Sequence, residues 1–365
     1  MNARAQKLGP AHNVATGGLG PFLYQWPSER RLGVLEMGGA SAQVAFELEP
    51  GGGLDRLLGA RLLGQAPPQA WQSFQQSRLV FRRSRGQSYA LLASTFLGFG
   101  SDAVRALHTD LLVRDALIAL GPAAARRLAS SSSSDNKENN ASSLVLIDAC
   151  LNRGARQLNV RKPLGMLDLW RRPVRILGHS PGPSEPHTFG LDLLGGGDWR
   201  ACHRSLGRLV SVARLERATC ERGPGHLAPS NCSSTLIGTN FVPWQHLQFV
   251  GLGQLFYTRN EMLGSPGAPL DGPQMQQLTA RLCALSFEQL NRQFEPKSEL
   301  ESQRNLLACF RASWVLVWLA EVLRAPLAAP AAMRLYDIAT LDRLAGESLD
   351  WTLGALLAHR TSAAS

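Results

Sequence analysis

The sequence predicts an α/β protein, because strand patterns and long amphipathic helix patterns both occur along one chain. The strand patterns lie within the first hundred residues, where apolar or alternating runs are separated by glycine turns. The helix patterns follow them, with apolar residues recurring every three or four positions. A length of 365 residues with 44% apolar content is typical of a globular protein large enough for two domains.

Two strands joined by a glycine turn come first. Residues 32–37 are an apolar run that Gly38 and Gly39 interrupt, and residues 42–48 alternate between apolar and polar side chains. Two further strands and a Gly-Phe-Gly loop are predicted at residues 79–83, 88–94 and 98–100.

Helices are predicted from the spacing of apolar residues. One begins at Ser101 and Asp102, which are typical first residues of a helix. Ser298 and Glu301 have the spacing of a capping box at the start of another. The predicted helices are residues 54–63, 102–120, 199–217, 271–294, 298–323 and 350–359.

Three segments lack a periodic pattern. Residues 1–31 are predicted to be an unstructured tail, and the polar residues 126–143 a disordered surface insertion. Residues 151–197, rich in Gly, Pro and Arg, indicate no particular element. No signal peptide or membrane-spanning run is recognisable, since the best apolar stretch, residues 312–323, is short and contains Glu321. The protein is therefore either cytosolic, or the chain begins inside a longer gene product.

The net charge of +10 is compatible with phosphorylated substrates or with nucleic acid. The basic residues form short scattered clusters, such as residues 82–85 and 171–175, without interleaved aromatic residues. We expect most of them to be solvated surface residues. Because no recognition module accompanies them, no nucleic-acid partner is predicted.

Six cysteines lie between residues 150 and 309, an even number that is compatible with three disulfides. Six buried thiols in a cytosolic protein are the alternative. No CxxC pair and no histidine at a zinc-ligand spacing is present, so no structural metal site is predicted. The Asn-x-Ser sequons at Asn140 and Asn231 favour a secretory compartment only weakly. Pairing in sequence order would give Cys150–Cys202, Cys220–Cys232 and Cys283–Cys309.

Residues 33–46, GVLEMGGASAQVAF, are the segment that predicts chemistry. The turn at Gly38 and Gly39 leaves backbone amides without bulky side chains in front of them. Such a turn can approach a phosphate closely, and Ser41 adds a hydroxyl donor. An ordinary hairpin with a Gly-Gly turn would give the same pattern.

Two polar side chains beside this turn extend the prediction. Glu36, at the end of the first strand, can hold a divalent cation through water. Gln43 lies on the same face as Ser41 by strand alternation, where its amide could orient an attacking water.

This segment resembles the fourth conserved region of the apyrase (nucleoside triphosphate diphosphohydrolase) family, whose usual form is Asp-(Leu/Met)-Gly-Gly-Ala-Ser-x-Gln-(Ile/Val)-Ala-Phe. Later segments resemble family motifs in the same order, and the first of them has the form typical of Golgi and lysosomal members. They are STFLGFG at 94–100, DACL at 148–151, GDWRAC at 197–202, QLFY at 254–257, CFRASW at 309–314 and WTLGA at 351–355. The resemblance covers residues 32–360.

The resemblance implies an actin-like fold, in which two ribonuclease-H-like α/β lobes enclose the nucleotide. This chain would supply mainly the C-terminal lobe, residues 32–345, as a mixed sheet flanked by helices. Residues 346–365 would form a helix that returns to the N-terminal lobe. Two disulfides are implied as well, Cys150–Cys202 and Cys283–Cys309, while Cys220–Cys232 gains no support.

The resemblance also implies roles for particular residues. Glu36 and Gln43 would hold Ca²⁺ or Mg²⁺ with its waters and would take part in catalysis. Tyr257, with Phe256, would stack on the nucleobase, although both could equally be core aromatic residues. The implied substrates are nucleoside di- and triphosphates such as UDP, ATP and GTP. The second lobe's phosphate loop would consist of Gly38, Gly39, Ala40, Ser41 and Ala42.

Three departures from the family pattern predict poor hydrolysis by this chain alone. Glu36 stands where the family has aspartate, and Leu252 and Gly253 stand where it has Phe and Ser. Residues 1–31 contain neither the first phosphate hairpin nor the segment with the family's catalytic glutamate.

We therefore expect the N-terminal lobe to be missing from this chain, through an incomplete gene model or a fragment. The alternative is a non-catalytic descendant that binds nucleotide or a partner. The family would place the protein in the Golgi or lysosomal lumen, with membrane attachment only through segments absent from this chain.

Overall fold

The computed structural model describes residues 31–47, 78–84, 87–121, 143–163, 188–221, 247–262, 272–325, 327, 339–340, 343–344 and 347–348. Within the unit Arg31–Thr340, two sheets are flanked by helices. The predicted α/β class is therefore confirmed as a mixed arrangement of sheets and helices. Of the other unit, which includes residues 341–365, only a short antiparallel strand pair is described.

The elements follow in chain order. The strands are β1 (Arg31–Met37), β2 (Ser41–Glu47), β3 (Arg78–Ser84), β4 (Gln87–Leu97), β5 (Ser143–Asp148), β6 (Arg156–Pro163), β7 (Thr188–Gly195), β8 (Leu247–Gly253), β9 (Ala339–Thr340), β10 (Arg343–Leu344) and β11 (Glu347–Ser348). The helices are α1 (Ser101–Leu120), α2 (Trp199–Glu221), α3 (Gln254–Tyr257), α4 (Gly272–Ala284), α5 (Phe287–Gln293), α6 (Glu299–Leu306) and α7 (Ala308–Val317). The π-helical turns Thr258–Met262 and Trp318–Val322 continue α3 and α7.

The larger sheet has the strand order β3-β4-β2-β1-β8-β9. Strands β1 to β4 pair antiparallel, whereas β8 lies parallel to β1 and to β9. The four strands predicted from the N-terminal pattern are confirmed, and β4 runs on to Leu97. Strand β8 was not predicted, because its sequence LQFVGLG is short and contains two glycines.

Alternation along β1 and β2 gives the larger sheet one buried and one polar face. The buried face packs against side chains of α1 and α7 and includes Leu35, Met37, Ala42, Val44, Phe46 and Phe96. The opposite face carries Glu36, Ser41 and Gln43, which are half-buried, and Thr95, which is exposed. We call this second side the polar face.

Helix α1 begins at Ser101 with Asp102 in its first turn, and it confirms the predicted helix over residues 102–120. Gly100 is its N-cap, and no side chain caps the helix. Backbone carbonyls of the β1–β2 turn take the place of a side-chain cap, because they accept hydrogen bonds from the first amides of the helix.

The predicted helix over residues 271–294 is two helices, α4 and α5. The Asn152 side-chain amide donates to the carbonyls of Leu282 (2.7 Å) and Leu285 (3.1 Å), which ends α4. Ser286 and Gln289 then form a capping box that starts α5. A contact more than 100 residues away in sequence therefore divides a pattern that reads as continuous.

The predicted helix over residues 298–323 is also divided, into α6 and α7, with a bend of 57°. Its N-terminal capping box is half confirmed. The Ser298 hydroxyl accepts from the Glu301 amide at 3.2 Å, but the Glu301 carboxylate accepts from the Lys297 amide at 2.6 Å. Helix α2 confirms the predicted helix over 199–217 and extends to residue 221.

The smaller sheet has the strand order β5-β7-β6. Two of its strands, β6 and β7, lie in the region that showed no pattern, and a bulge between Gln157 and Val160 interrupts the period of β6. Ser143, predicted to end the polar insertion, is instead the first residue of β5. Residues 126–142 of that insertion lie outside the described residues.

A buried polar cluster joins α1 to the smaller sheet and to α2. The Arg105 guanidinium donates to Asp148 at 2.6 Å and to Gln157 at 3.1 Å. The His108 ring lies 3.1 Å from the Ser205 hydroxyl. Burial lowers the pKa of His108 to about 4, although the Asp148 carboxylate opposes the shift. Burial alone would raise the pKa of Asp148, but Arg105 and His108 outweigh it and the pKa is lowered.

The two disulfides implied by the resemblance are present. Cys150–Cys202 joins the turn after β5 to α2, and Cys283–Cys309 joins α4 to α7. All four cysteines are fully buried in the core. The third pairing, Cys220–Cys232, stays a prediction because Cys232 lies outside the described residues.

Other predictions also fall outside the described residues: the helices at 54–63 and 350–359, and residues 1–30 of the tail. Arg31 already belongs to β1. The domain division at residue 345 stays a prediction as well. Among the described residues, no single helix has the length and apolar content to cross a membrane, and one bent pair, α6 with residues 308–322, passes on those two criteria.

The buried histidine makes stability depend on pH. Unfolded histidine binds a proton near pH 6.5, whereas His108 does so near pH 4, so the unfolded state binds more protons between these values. We expect the free energy of unfolding to fall by about 3 kcal/mol as the pH falls through this window. In His108→Gln the free energy of unfolding should fall much less, as measured by urea unfolding at pH 4 to 7. His203→Gln, at a half-buried histidine on α2, is the matched control. A His108→Gln variant with the wild-type pH dependence would contradict the assignment.

Candidate functional site

The turn between β1 and β2 is held by the N-terminus of α1. The Gly38 carbonyl accepts a hydrogen bond from the Ser101 amide at 2.9 Å. The Gly39 carbonyl accepts from the amides of Asp102 (2.9 Å) and Ala103 (3.0 Å). Both carbonyls therefore point at α1.

The amides that follow these carbonyls point the other way. In a planar trans peptide, C=O and the next N–H lie on opposite sides, so the N–H groups of Gly39 and Ala40 are directed away from α1. None of the described residues accepts a hydrogen bond from either group. Because α1 packs on the buried side of the sheet, the two amides face the side of Glu36 and Gln43. Two free, neighbouring amides can donate hydrogen bonds to one anion.

Glycine is required where the β4–α1 loop meets this turn. A Cβ added at Gly100 would lie 2.4 Å from backbone atoms of Gly39 and Ser41, so no side chain fits. The carbonyl of Phe99 accepts a hydrogen bond from the indole of Trp314 at 3.1 Å, which fixes the loop to α7. The loop predicted at residues 98–100 thus packs against the turn and holds it in place.

The strand register brings the predicted polar side chains together. Gln43 is the cross-strand partner of Glu36 on one side and of Thr95 on the other. Its side-chain amide donates to the Ser41 hydroxyl at 2.7 Å, so the two residues share a face as the alternation predicts. The Gln43 Oε1 atom is buried and has no partner among the described residues. Such an acceptor fits a donor from outside the chain.

The Glu36 carboxyl group is half-buried. Burial raises its pKa from 4.5 to about 7. A Cβ built on Gly38 or on Gly253 would lie 3.3 Å from its Oε1 atom, so the carboxyl group sits between the turn and the end of β8. A cation beside it would favour the ionised form and reverse the effect of burial.

The backbone at position 253 requires glycine, which the sequence alone did not reveal. Its φ of 62° and ψ of −126° suit glycine, and a Cβ there would lie 2.5 Å from the Met37 carbonyl. It also lies beside Glu36. A position counted as a departure from the family pattern is thus the point where β8 turns into α3 next to the carboxylate.

Tyr257 and Phe256 lie on α3, one helical turn beyond Gly253. Both are half-buried, so neither belongs to the fully buried core. Their rings meet edge to face with centroids 5.4 Å apart. The Arg304 guanidinium covers the Tyr257 ring at 4.5 Å from its centroid, a contact that the sequence did not predict.

Ala42 differs from the other residues of the predicted phosphate loop. It belongs to β2, and its side chain is fully buried on the opposite face, so only its backbone could take part. The structure brings Gly38, Gly39, Ala40 and Ser41 together with Glu36 and Gln43.

A second group of metal-type ligands is buried elsewhere. Donor atoms of His108, Asp148 and Cys150 lie within 4.8 Å of one another. Cys150 is bonded to Cys202, and Asp148 is paired with Arg105. These bonds occupy the donors, so the cluster is structural.

Free turn amides beside a carboxylate are the kind of groups that bind phosphate together with a cation. The model of the GDA1/CD39 (nucleoside phosphatase) family matches residues 11–364, and the chain belongs to that family. The family predicted from the sequence motifs is confirmed.

Individual relatives are distant and longer. The chain is 23% identical over 334 residues to ectonucleoside triphosphate diphosphohydrolase 7 of Pongo abelii, covering 90% of this chain and 44% of that protein. It is 22% identical over 348 residues to nucleoside-diphosphatase mig-23 of Caenorhabditis elegans and 20% identical over 351 residues to Golgi apyrase of Schizosaccharomyces pombe, covering 91% of this chain and 47% of each relative. The chain therefore spans about half the length of the curated relatives it matches.

A solved structure of the PPX-GPPA enzyme of Aquifex aeolicus aligns over 81% of this chain and 93% of its own. The identity is 9% and the TM-score 0.19, which is too low to support a conclusion.

Removing the carboxylate should stabilise the free protein. Glu36→Gln removes the cost of ionising a half-buried carboxyl group. After allowance for solvent screening, we expect the free energy of unfolding to rise by about 1 kcal/mol at pH 8 without divalent cations, which raises the Tm by roughly 2 °C. We also expect Mg²⁺ or Ca²⁺ to stabilise the wild type and to have no such effect on this variant. Calorimetric scans with and without cation test this, with Glu36→Asp as the charge-retaining control. A less stable Glu36→Gln variant, or one with an unchanged cation effect, would be inconsistent with it.

Proposed function

We propose that this chain carries the phosphate- and metal-binding part of an apyrase-type nucleotidase. The reaction is removal of the terminal phosphate from nucleoside tri- and diphosphates. One observation supports it most: two free turn amides lie on the same side of a sheet as Glu36, Ser41 and Gln43. Membership of a nucleoside phosphatase family makes phosphate the expected anion.

The turn would bind the terminal phosphate. The amides of Gly39 and Ala40 donate to its oxygens, and the Ser41 hydroxyl adds a third donor. Gly38 contributes by leaving the approach free of a side chain. Neutral backbone donors held in place cost no reorganisation when charge develops on the phosphoryl group.

Glu36 and Gln43 would hold a hydrated divalent cation, Ca²⁺ or Mg²⁺. The residues fit this group, because the half-buried carboxylate and the unpartnered Gln43 Oε1 are the oxygen ligands that such ions take, directly or through water. When bound, the ion supplies positive charge to the phosphate oxygens. Gln43 keeps its Oε1 available for a water because its amide nitrogen is occupied by Ser41.

Tyr257 would provide a stacking surface for the nucleobase, with Phe256 beside it. The Arg304 guanidinium already covers the Tyr257 ring, so a base would stack against this cation or displace it. Such contacts depend little on base identity, which suits substrates such as UDP, ATP and GTP.

In the family fold, this chain would form the C-terminal lobe of an actin-like nucleotidase. The described site contains three donors to phosphate and the Glu36 carboxylate, but no second carboxylate assigned as general base. We expect slow hydrolysis by the chain alone, since such a base contributes about 10²–10⁴-fold. A relative named Golgi apyrase and the two buried disulfides support a secretory, Golgi-type compartment.

Gln43 provides the test of this function. Calorimetric titration of the chain with UDP or ATP in Mg²⁺ should show binding, and Gln43→Ala should weaken it about tenfold through loss of one charge-assisted hydrogen bond. Gln277→Ala, at an exposed glutamine on α4, should bind like the wild type.

Failure of the wild type to bind either nucleotide, or equal binding by Gln43→Ala, would overturn the proposal. Phosphate release measured in parallel distinguishes a catalytic nucleotidase from a non-catalytic protein that only binds nucleotide. Release that Gln43→Ala abolishes excludes the non-catalytic alternative.

A further inference from the structure

The two glycines of the β1–β2 turn have different neighbours. Neither Gly38 nor Gly39 has the positive φ that favours glycine, so the backbone itself does not require glycine at these positions. A Cβ added at Gly38 would lie 3.3 Å from the Glu36 Oε1 atom, on the side of the proposed ligand. A Cβ added at Gly39 would instead lie 2.6 Å from the Oδ2 atom of Asp102. The Asp102 carboxylate thus occupies the space that a side chain at position 39 would need.

The Asp102 side chain is held on both of its oxygens. The Oδ2 atom lies against Gly39. The Oδ1 atom lies 3.8 Å from the Arg311 guanidinium of α7 and accepts a hydrogen bond from the Ser101 hydroxyl at 3.4 Å. The Asp102 amide also donates to the Gly39 carbonyl at 2.9 Å. Asp102 therefore contacts Gly39 through its backbone and its side chain together.

An acidic residue in the first turn of a helix is common, because it interacts favourably with the positive end of the helix dipole. Glu299 has that place in α6. Asp102 differs because its carboxylate is 70% exposed and yet lies against the turn that is proposed to bind phosphate. By its charge alone, it would repel an anion at the turn.

We propose that Asp102 is a positioning residue for the phosphate-binding turn. The inference rests on the proposed function, in which the amides of Gly39 and Ala40 donate to the terminal phosphate. The peptide between these two residues carries the Gly39 carbonyl, which the Asp102 amide holds on the α1 side, so the Ala40 amide points the other way. The carboxylate against Gly39 restricts the movement of this peptide towards α1. Asp102 thus fixes the direction of the donors without contacting the phosphate.

The positioning role and the charge of Asp102 have opposite effects on anion affinity. Removal of the charge alone should strengthen binding, because a repulsion is lost. Removal of the contact with Gly39 should weaken binding, because donors that move must be ordered when the ligand binds. Substitutions that keep or delete the shape of the side chain therefore separate the two effects.

Calorimetric titration of the full chain with UDP in Mg²⁺ tests this role. Asp102→Ala should weaken UDP binding about fivefold, although it removes a negative charge. Asp102→Asn, which keeps the shape, should bind UDP as tightly as the wild type or more tightly. Glu299→Ala, which removes an acidic residue from the first turn of α6, is the matched control and should leave the UDP affinity unchanged. Thermal midpoints of all variants verify that the fold is kept.

A double-mutant cycle with Gly39 gives a second measurement. Gly39→Ala should weaken UDP binding in the wild type, because the new Cβ displaces the Asp102 carboxylate. In the Asp102→Ala background the same change should have no further effect, so the two losses are not additive. Additive losses would mean that a side chain at position 39 obstructs the phosphate directly.

The outcomes separate this inference from the proposed function. Unchanged or tighter UDP binding by Asp102→Ala, or additive losses in the double variant, would overturn the role of Asp102. The proposed function stands in that case if Gln43→Ala still weakens binding. A wild type that binds neither UDP nor ATP overturns the proposed function, and the role of Asp102 with it.

Discussion

The hydrogen bonds between the carbonyls of Gly38 and Gly39 and the first amides of α1 determine the orientation of the candidate site. A helix N-terminus must satisfy its unpaired N–H groups, and here the turn supplies the acceptors. The positive end of the helix dipole reinforces this choice, because it attracts carbonyl oxygens. The turn amides are consequently directed to the other side, towards the polar face. One set of bonds thus completes a helix and prepares an anion site.

The turn is held in place by what holds α1. Arg105 and His108 on α1 engage Asp148 and a disulfide-linked region in the core, and the loop before α1 is fixed by Trp314. Removing one partner of a buried ion pair such as Arg105–Asp148 typically costs about 3–5 kcal/mol, so this anchor resists displacement. A pre-organised turn loses little entropy when it binds phosphate, which is the condition for affinity from a few weak donors. The polar cluster therefore serves the site from a distance, as a support and not as a ligand.

Local patterns were sufficient where local physics decides the structure. The alternation around Gly38 and Gly39 predicted the hairpin, the face shared by Ser41 and Gln43, and the neighbouring strands. The resemblance added the disulfides. Patterns failed where distant contacts decide, since Asn152 divides a helical pattern that reads as continuous. Nothing in the sequence indicated that carbonyls of the β1–β2 turn would cap α1 in place of a side chain. The stacking of Arg304 on Tyr257 and the backbone demand at Gly253 also depend on pairs far apart in sequence.

Hydrogen exchange at the amides of Gly39 and Ala40 tests the central claim most directly. Both groups lack an acceptor among the described residues, so without ligand they should exchange at rates close to those of an unstructured peptide. Addition of Mg²⁺ and pyrophosphate should slow both amides strongly, while the amides of Ser101 and Asp102 should be protected throughout. Protection of Gly39 and Ala40 before ligand is added, or unchanged exchange after saturation, would contradict the account.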